Sequence, residues 1–256
     1  MLKIERHKII SQELSKQGFV LVPSLSTLFG CSEETIRRDL KELEQKGRLV
    51  RTHGGAYQAE KYDKSYPVEL RKVQNRRTKE KLAALAVTYI KDNDVIMLDP
   101  SSTCLVLMEE IINRELSVTL ITNSLEICNM CNEKNADINL VCIGGVYRKR
   151  TSAFADPNTV DALKGYYADK AFISCPKLTI EFGLSDNHIS EANARKQMII
   201  QSKERFLLCD HEKFDESANI PFDGIEKIDY LFTDQKLSAE WEKYAEDNNI
   251  IIRYAG

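Results

Sequence analysis

Nowhere in its 256 residues does the chain hold eighteen consecutive apolar residues, so no transmembrane helix is expected. Its start, Met1-Leu2-Lys3-Ile4-Glu5-Arg6, lacks the apolar core of a secretory signal, and a cytoplasmic location is the expectation. Neither sign of charge dominates, and a formal net charge of −3 argues against indiscriminate nucleic-acid binding. Seven cysteines, an odd number scattered among apolar neighbours, do not make a disulfide framework. The one close pair, Cys128 and Cys131, has no second Cys-x-x-Cys or His pair to complete a metal site. At i, i+3 on a helix both can face a core, so neither a metal nor a cofactor is expected. Internal repeats and low-complexity segments are also missing.

What is present is an ordinary globular composition, 43% hydrophobic and 29% charged. The length exceeds that of a typical single domain and suggests a small and a larger unit. Charge divides the same way. Met1 to Tyr57 carries ten basic and seven acidic residues, whereas the remainder carries 26 basic and 32 acidic.

The basic excess surrounds Ser32 to Gly47, which reads as a short helix with signals at both ends. Ser32 can cap the first turn, Glu33 and Glu34 favour the helix dipole there, and Gly47 is a natural stop. Ile36, Leu40 and Leu43 form one apolar stripe at i, i+4 and i+7. Thr35, Arg37, Arg38 and Lys41 fall on or beside the opposite face, bringing a hydroxyl, two guanidinium forks and an ammonium. Such groups reach phosphates and guanine edges in a DNA major groove. An arginine pair on one helix is by itself usually a solvated face. Upstream, however, Arg6 to Gln17 reads as a first helix ending at Gly18, and Pro23 to Leu28 as a second. The turn Phe29-Gly30-Cys31 then leads into the Ser32 helix, completing a helix-turn-helix pattern. Arg48 to Tyr57 follows as a small hairpin, or wing, that carries Arg51 and His53.

Ser-x-x-Thr-Ile-Arg-Arg-Asp-Leu-x-x-Leu-Glu-x-x-Gly, followed by Leu-Val-Arg-Thr-His-Gly-Gly-Ala, resembles the N-terminal signature of the DeoR family of bacterial transcriptional regulators. The resemblance implies a winged helix-turn-helix over residues 1–57 that binds double-stranded operator DNA through Ser32, Thr35, Arg37, Arg38, Lys41, Arg51 and His53. Residues 58–77, with Lys61, Asp63, Lys64, Pro67, Arg76 and Arg77, have no apolar period and read as a linker.

From residue 78 to 256, helical spacing alternates with compact apolar runs. Strands are expected at 94–99, 118–122 and 138–143, then near 170–174, 205–209, 230–233 and 250–253. Helices are expected between several of them, including 192–202 and 239–248. This alternation argues for a layered α/β domain with a mainly parallel sheet, whose ligands bind at the carboxyl ends of the strands. Three such ends offer hydroxyls, amides or glycines suited to an anion or a polyhydroxyl compound: Asp99 to Thr103, Thr122 to Ser124, and Ile143 to Arg148. Ser and Thr there are equally ordinary helix caps.

Leu-Asp-x-Ser-Ser-Thr, Thr-Asn-Ser, Ile-Gly-Gly-x-x-Arg, Gly-Leu-Ser with Ser-Glu-Ala, and Asp-x-x-Lys-Phe extend the resemblance to the DeoR-type sensor domain. The implied fold is similar to ribose-5-phosphate isomerase and CoA-transferases, and the implied ligand is a small phosphorylated sugar. Carried over by position, the pocket would comprise Asp99, Ser101, Ser102, Thr103, Asn123, Ser124, Gly144, Gly145, Arg148, Arg195 and Lys213. The sequence departs from the family at Asp156, where Gly is usual, at Arg195, where Lys is common, and at Cys175-Pro176-Lys177. An extra carboxylate at Asp156 disfavours a phosphate.

The expectation is a ligand-controlled regulator, most often a repressor of sugar uptake or catabolism genes in this family. A homodimer or homotetramer would suit a palindromic operator. The rival reading is a sugar-phosphate isomerase or transferase with an appended DNA-binding module, using Asp99, Asp186, Glu191 and Lys213 as acid–base groups. Against it, His53 lies in the wing, and His188 and His211 read as loop residues, so no histidine sits in a catalytic pattern.

Overall fold

The computed structural model describes residues 1–58, 66–134 and 137–256. They divide into two compact units, Met1–Asn75 and Arg76–Gly256. Lys61, Asp63 and Lys64 of the expected linker lie outside the described residues.

The first unit runs α1 (Lys3–Gln17), β1 (Phe19–Leu21), α2 (Val22–Phe29), α3 (Glu33–Gln45), β2 (Val50–Thr52), β3 (Gly55–Tyr57) and α4 (Val68–Val73). Local chemistry ends its helices where the sequence suggests. Gly18 stops α1 in the left-handed region, with its N–H bonded to Leu14 at 2.8 Å. Gly30 (φ 61°) turns the chain between α2 and α3. Ile36, Leu40 and Leu43 bury the inner side of α3 against Ile10 and Leu14 of α1 and Leu25 of α2. Asp39, also buried, ties α3 to α1 through Arg6 (2.7 Å) and His7 (3.2 Å).

β2 and β3 form the expected antiparallel wing, but β1 adds a third strand that the sequence reading missed, in the order β1-β3-β2. Three residues are too few to show a period, and β1 is a strand only because β3 lies beside it. Gly55 is needed at this junction, since a Cβ there would come within 2.0 Å of the Val20 carbonyl oxygen. The stretch read as linker also contains structure. Val68 and Leu70 of α4 are buried, and Leu70 and Val73 crowd the Gly54-Gly55 turn.

The second unit continues with α5 (Arg76–Ala86), β4 (Val95–Leu98), α6 (Ser102–Asn113), β5 (Val118–Thr122), α7 (Leu125–Glu133) and β6 (Ile138–Cys142). A short hairpin, β7 (Tyr147–Arg148) and β8 (Ala153–Phe154), precedes α8 (Pro157–Leu163). Then follow β9 (Ala168–Ile173), β10 (Lys177–Thr179), β11 (Gly183–Asp186), α9 (Ile189–Ile200), β12 (Ser202–Leu208), β13 (Ile220–Asp223), β14 (Tyr230–Thr233), α10 (Ala239–Asp247) and β15 (Ile251–Tyr254).

Seven strands pair in the order β15-β14-β12-β9-β4-β5-β6, every pair parallel. Apolar runs such as Val95–Leu98 and Tyr230–Thr233 suit strands covered on both faces. Phe206 stacks between Phe172 and Tyr230, with centroids 4.6 Å away on each side. From β4 the sheet grows outward through β5 and β6, and from β9 it grows the opposite way. The strand order therefore reverses between β4 and β9, and a crevice at the carboxyl ends of those two strands is the expected ligand position. Among the described residues, the sequence reading had not placed α8, the β7–β8 hairpin or the small antiparallel sheet β10-β11-β13.

Candidate functional site

On the first unit, the outer side of α3 is built by its cap and its apolar stripe. Ser32 accepts the Thr35 N–H at 3.3 Å, and the two hydroxyls lie 3.0 Å apart. With Ile36, Leu40 and Leu43 turned inward, Arg37, Arg38 and Lys41 are exposed. Arg37 is steadied by Glu33 one turn earlier at 2.6 Å. Arg38 and Lys41 have no hydrogen-bond or ion-pair partner among the described residues. Arg51 is exposed on β2 but already held: its Nε and backbone N–H donate to Glu44 at 2.7 and 3.0 Å. That pairing lowers the Glu44 carboxyl below its ordinary range and makes Arg51 a strut between α3 and the wing. His53 is exposed in the β2–β3 turn. The sequence reading missed the Asp39 contacts with Arg6 and His7 because they join residues more than thirty positions apart.

On the second unit, Asp99 follows β4 and is fully buried. It receives the backbone N–H groups of Ser101 (3.1 Å) and Ser174 (3.2 Å), the latter just past β9. Arg195 of α9 donates to Asp99 from Nε at 2.7 Å and to Asp186 from Nη1, with Glu191 3.7 Å away. Glu191 also accepts from Arg148 Nε (2.9 Å) and the Thr151 hydroxyl (2.6 Å). Nearby, Lys213 donates to the Ser174 hydroxyl at 2.7 Å and faces Asp210 at 3.8 Å. Asp99, Arg148, Arg195 and Lys213, named separately by resemblance, thus lie in one ion cluster or on its edge.

Burial acts against the charge on Arg195, but Asp186, Asp99 and Glu191 outweigh it and raise its pKa. Lys213 behaves alike, burial being overcome chiefly by Asp210. Asp186 is pushed up, first by burial and then by Glu191, against the pull of Arg195. Arg148, Arg195 and Lys213 therefore all face carboxylates already, and an anionic ligand would have to compete with those partners.

The other expected pocket residues separate into groups. Ser101 and Ser124 cap α6 and α7, accepting N–H groups from Cys104 (3.1 Å) and Ile127 (3.3 Å). Ser102 and Thr103 are buried in the first turn of α6. Asn123 donates to the Phe154 carbonyl at 2.7 Å, while its own buried oxygen has no partner. A buried acceptor left unmatched is costly and suits a hydroxyl donor on a ligand.

Gly144 and Gly145, by contrast, are exposed. At Gly145 (φ 139°) a Cβ would come within 2.1 Å of the Thr159 hydroxyl and 2.3 Å of Asp156 Oδ1. Asp156, the family departure, caps α8 by accepting the Thr159 N–H at 3.0 Å, and these bonds lower its pKa. A carboxylate therefore stands beside this strand end. His188, in extended backbone just before α9, is its N-cap, and His211 Nδ1 lies 2.9 Å from Asp234. Cys131 faces the core and Cys128 is half-buried. No cluster that could hold a metal occurs among the described residues. No described helix is long and apolar enough to cross a membrane.

A helix-turn-helix head with free surface cations, joined to a parallel α/β domain with an ion cluster at its switch point, is the build of a two-part DNA-binding regulator. Comparison with known proteins narrows this class. The DeoR-like helix-turn-helix domain matches residues 6–61 and the DeoR C-terminal sensor domain residues 74–235. The chain belongs to the DeoR family of transcriptional regulators.

Among similar proteins, the HTH-type transcriptional regulator IolR of Bacillus subtilis is 30% identical, over 99% of this chain and 100% of its own. The L-fucose operon activator of Haemophilus influenzae is 31% identical over 96% and 98%, and GlpR of Haloferax volcanii 28% over 98% of each. Among solved structures, ribose 5-phosphate isomerase A of Methanocaldococcus jannaschii is 24% identical, over 55% of each chain, with a TM-score of 0.41.

Proposed function

We propose that the protein is a repressor of sugar uptake or catabolism genes that acts in the cytoplasm and is controlled by a small phosphorylated sugar. The head binds operator DNA with Arg38 and Lys41 of α3 in the major groove, Arg37 and Thr35 beside them, and Arg51 and His53 of the wing at phosphates or the minor groove. The ligand enters at the carboxyl ends of β4 and β9, with the end of β5 beside them. The observation that carries this reading is the ion cluster around Asp99 and Arg195, at the switch point of the sheet.

Ser102, Thr103 and the amides of α6 would face the phosphate, and the free oxygen of Asn123 would accept from a sugar hydroxyl. Because every buried cation there is already paired, a phosphate binds by exchanging partners with a carboxylate. That exchange lets occupancy alter the domain. A ligand can shift operator affinity only by the difference in its affinity for the two states.

A thermal-shift screen of the purified protein against sugar phosphates and the corresponding free sugars tests the ligand class. A ligand at a hundredfold excess over its Kd adds about 2.7 kcal/mol to apparent stability. Stabilisation by one phosphorylated sugar and not by its free form is the expected result. Stabilisation by a neutral polyol instead would mean that Asp156 and the other departures from the family matter to ligand choice.

The enzyme reading draws on the gathering of Asp99, Asp186, Glu191 and Lys213. Its weakness is that Lys213 is held in its charged form, so a neutral amine is not at hand as a base. Turnover of ribose 5-phosphate by the purified protein would restore that reading.

A further inference from the structure

We propose that Cys175 and Cys209 are a modification site, a dithiol that a peroxide converts to a disulfide within the chain. Their sulfurs lie 3.7 Å apart, in contact and unbonded. The sheet sets this approach. β9 and β12 run parallel with Ile173 opposite Leu207, and two residues further along each chain the same register brings Cys175 beside Cys209. Neighbouring strands are about 4.8 Å apart, inside the Cα separation of about 4.4–6.8 Å that a disulfide spans. The bond can therefore close by side-chain rotation with the strands in place.

Buried cysteines are ordinarily inert, and Cys104 is such a case. It is fully buried, its S–H donates to the Phe172 carbonyl at 3.3 Å, and burial and Asp99 push its thiol up. Cys209 is as buried but differently placed. Burial opposes its charge, yet the Cys175 S–H and the Lys213 ammonium outweigh burial and lower its pKa. Cys175, pushed up by burial and by Cys209, keeps its proton. One sulfur is thus the nucleophile and the other the resolving thiol. Lys213, partly exposed, donates to the Ser174 hydroxyl at 2.7 Å, and that hydroxyl is 4.0 Å from the Cys209 sulfur. A small neutral oxidant reaches Cys209 along this side chain.

The Cys209 thiolate attacks one peroxide oxygen and the O–O bond breaks. Cys209 becomes a sulfenic acid, and the departing hydroxide leaves as water with the proton Cys209 had shed. The Cys175 sulfur then attacks the sulfenic sulfur, the S–O bond breaks, and the second hydroxide leaves as water with the Cys175 proton. Both electrons come from the thiol pair, which is oxidised as the peroxide is reduced. This inference does not rest on the regulatory reading, since it needs only the chemistry of the second unit.

Treating the reduced full chain with hydrogen peroxide, alkylating it under denaturing conditions and mapping its peptides by mass spectrometry tests the proposal. Cys175 and Cys209 are expected to lose alkylation together, as one linked peptide pair from a single chain, while Cys104 stays alkylated and dithiothreitol restores both. Cys175→Ser should leave Cys209 as a sulfenic acid that dimedone traps, and Cys209→Ser should leave Cys175 free. The wild-type map decides the matter even if a variant folds poorly. Exposed Cys142 reports the dose. Cys175 and Cys209 still free once Cys142 is oxidised would overturn the proposal, as would a Cys209→Ser chain that loses free Cys175 as fast as the wild type.

Discussion

The two units of this chain use positive charge in opposite ways. On α3 the guanidinium and ammonium groups of Arg38 and Lys41 stand in water with no partner among the described residues. Around Asp99, the Arg195 side chain is 3% exposed and meets three carboxylates. Surface cations of the first kind cost the fold almost nothing and remain free for a polyanion such as DNA, with the strong salt dependence that counterion release brings. Buried cations of the second kind are part of the fold, and removing one leaves its partners uncompensated. The same residue type is therefore a free surface group in one unit and a structural clamp in the other.

That contrast breaks first at Arg195. Arg195→Met leaves Asp99, Asp186 and Glu191 without their shared cation and should cost about 3–5 kcal/mol in urea unfolding of the second unit. A loss below 1 kcal/mol would mean that the cluster is not a clamp. Next, Arg38→Ala should leave the melting temperature unchanged. It should weaken operator binding by about 1–3 kcal/mol if the group reads a base, or lower the salt slope by about 1 if it meets a phosphate. Arg37→Ala should act in the same direction, and operator affinity intact in both variants would mean that α3 is not the reading helix. Third, Ser102→Ala and Lys213→Ala should spare operator binding and blunt the response to the sugar ligand, which anisotropy titrations with and without ligand would show. The smallest effect belongs to Ser32→Ala, which removes a cap and should cost the first unit about 1 kcal/mol by thermal unfolding.

How much of this was readable in advance depended on how local the signal was. α3 was readable because its cap, apolar stripe and stop lie within sixteen consecutive residues. β4, β5 and β14 were readable as short apolar runs with abrupt ends. The opposite case is β1, a strand made by its neighbour β3, and α4, whose two buried anchors, Val68 and Leu70, are hidden among charged residues. Resemblance named Asp99 and Arg195 as separate pocket residues, yet nothing local could show that they bond to each other across 96 positions. Nor could it show that Gly144 and Gly145 stand exposed while Asn123 is buried. Those facts depend on which strands adjoin, and the reversal between β4 and β9 sets that.

A ligand held at that reversal is expected to change how the head binds DNA. This is tested most directly by titrating the purified full chain onto a fluorescent duplex from its own upstream region, at fixed salt, with and without each sugar phosphate. One phosphorylated sugar is expected to change the Kd at least tenfold, roughly the 1.4 kcal/mol of a typical coupling, and Ser102→Ala to abolish the change while binding to DNA persists. An operator Kd that no sugar phosphate alters, or that a neutral sugar alters just as strongly, would contradict that expectation.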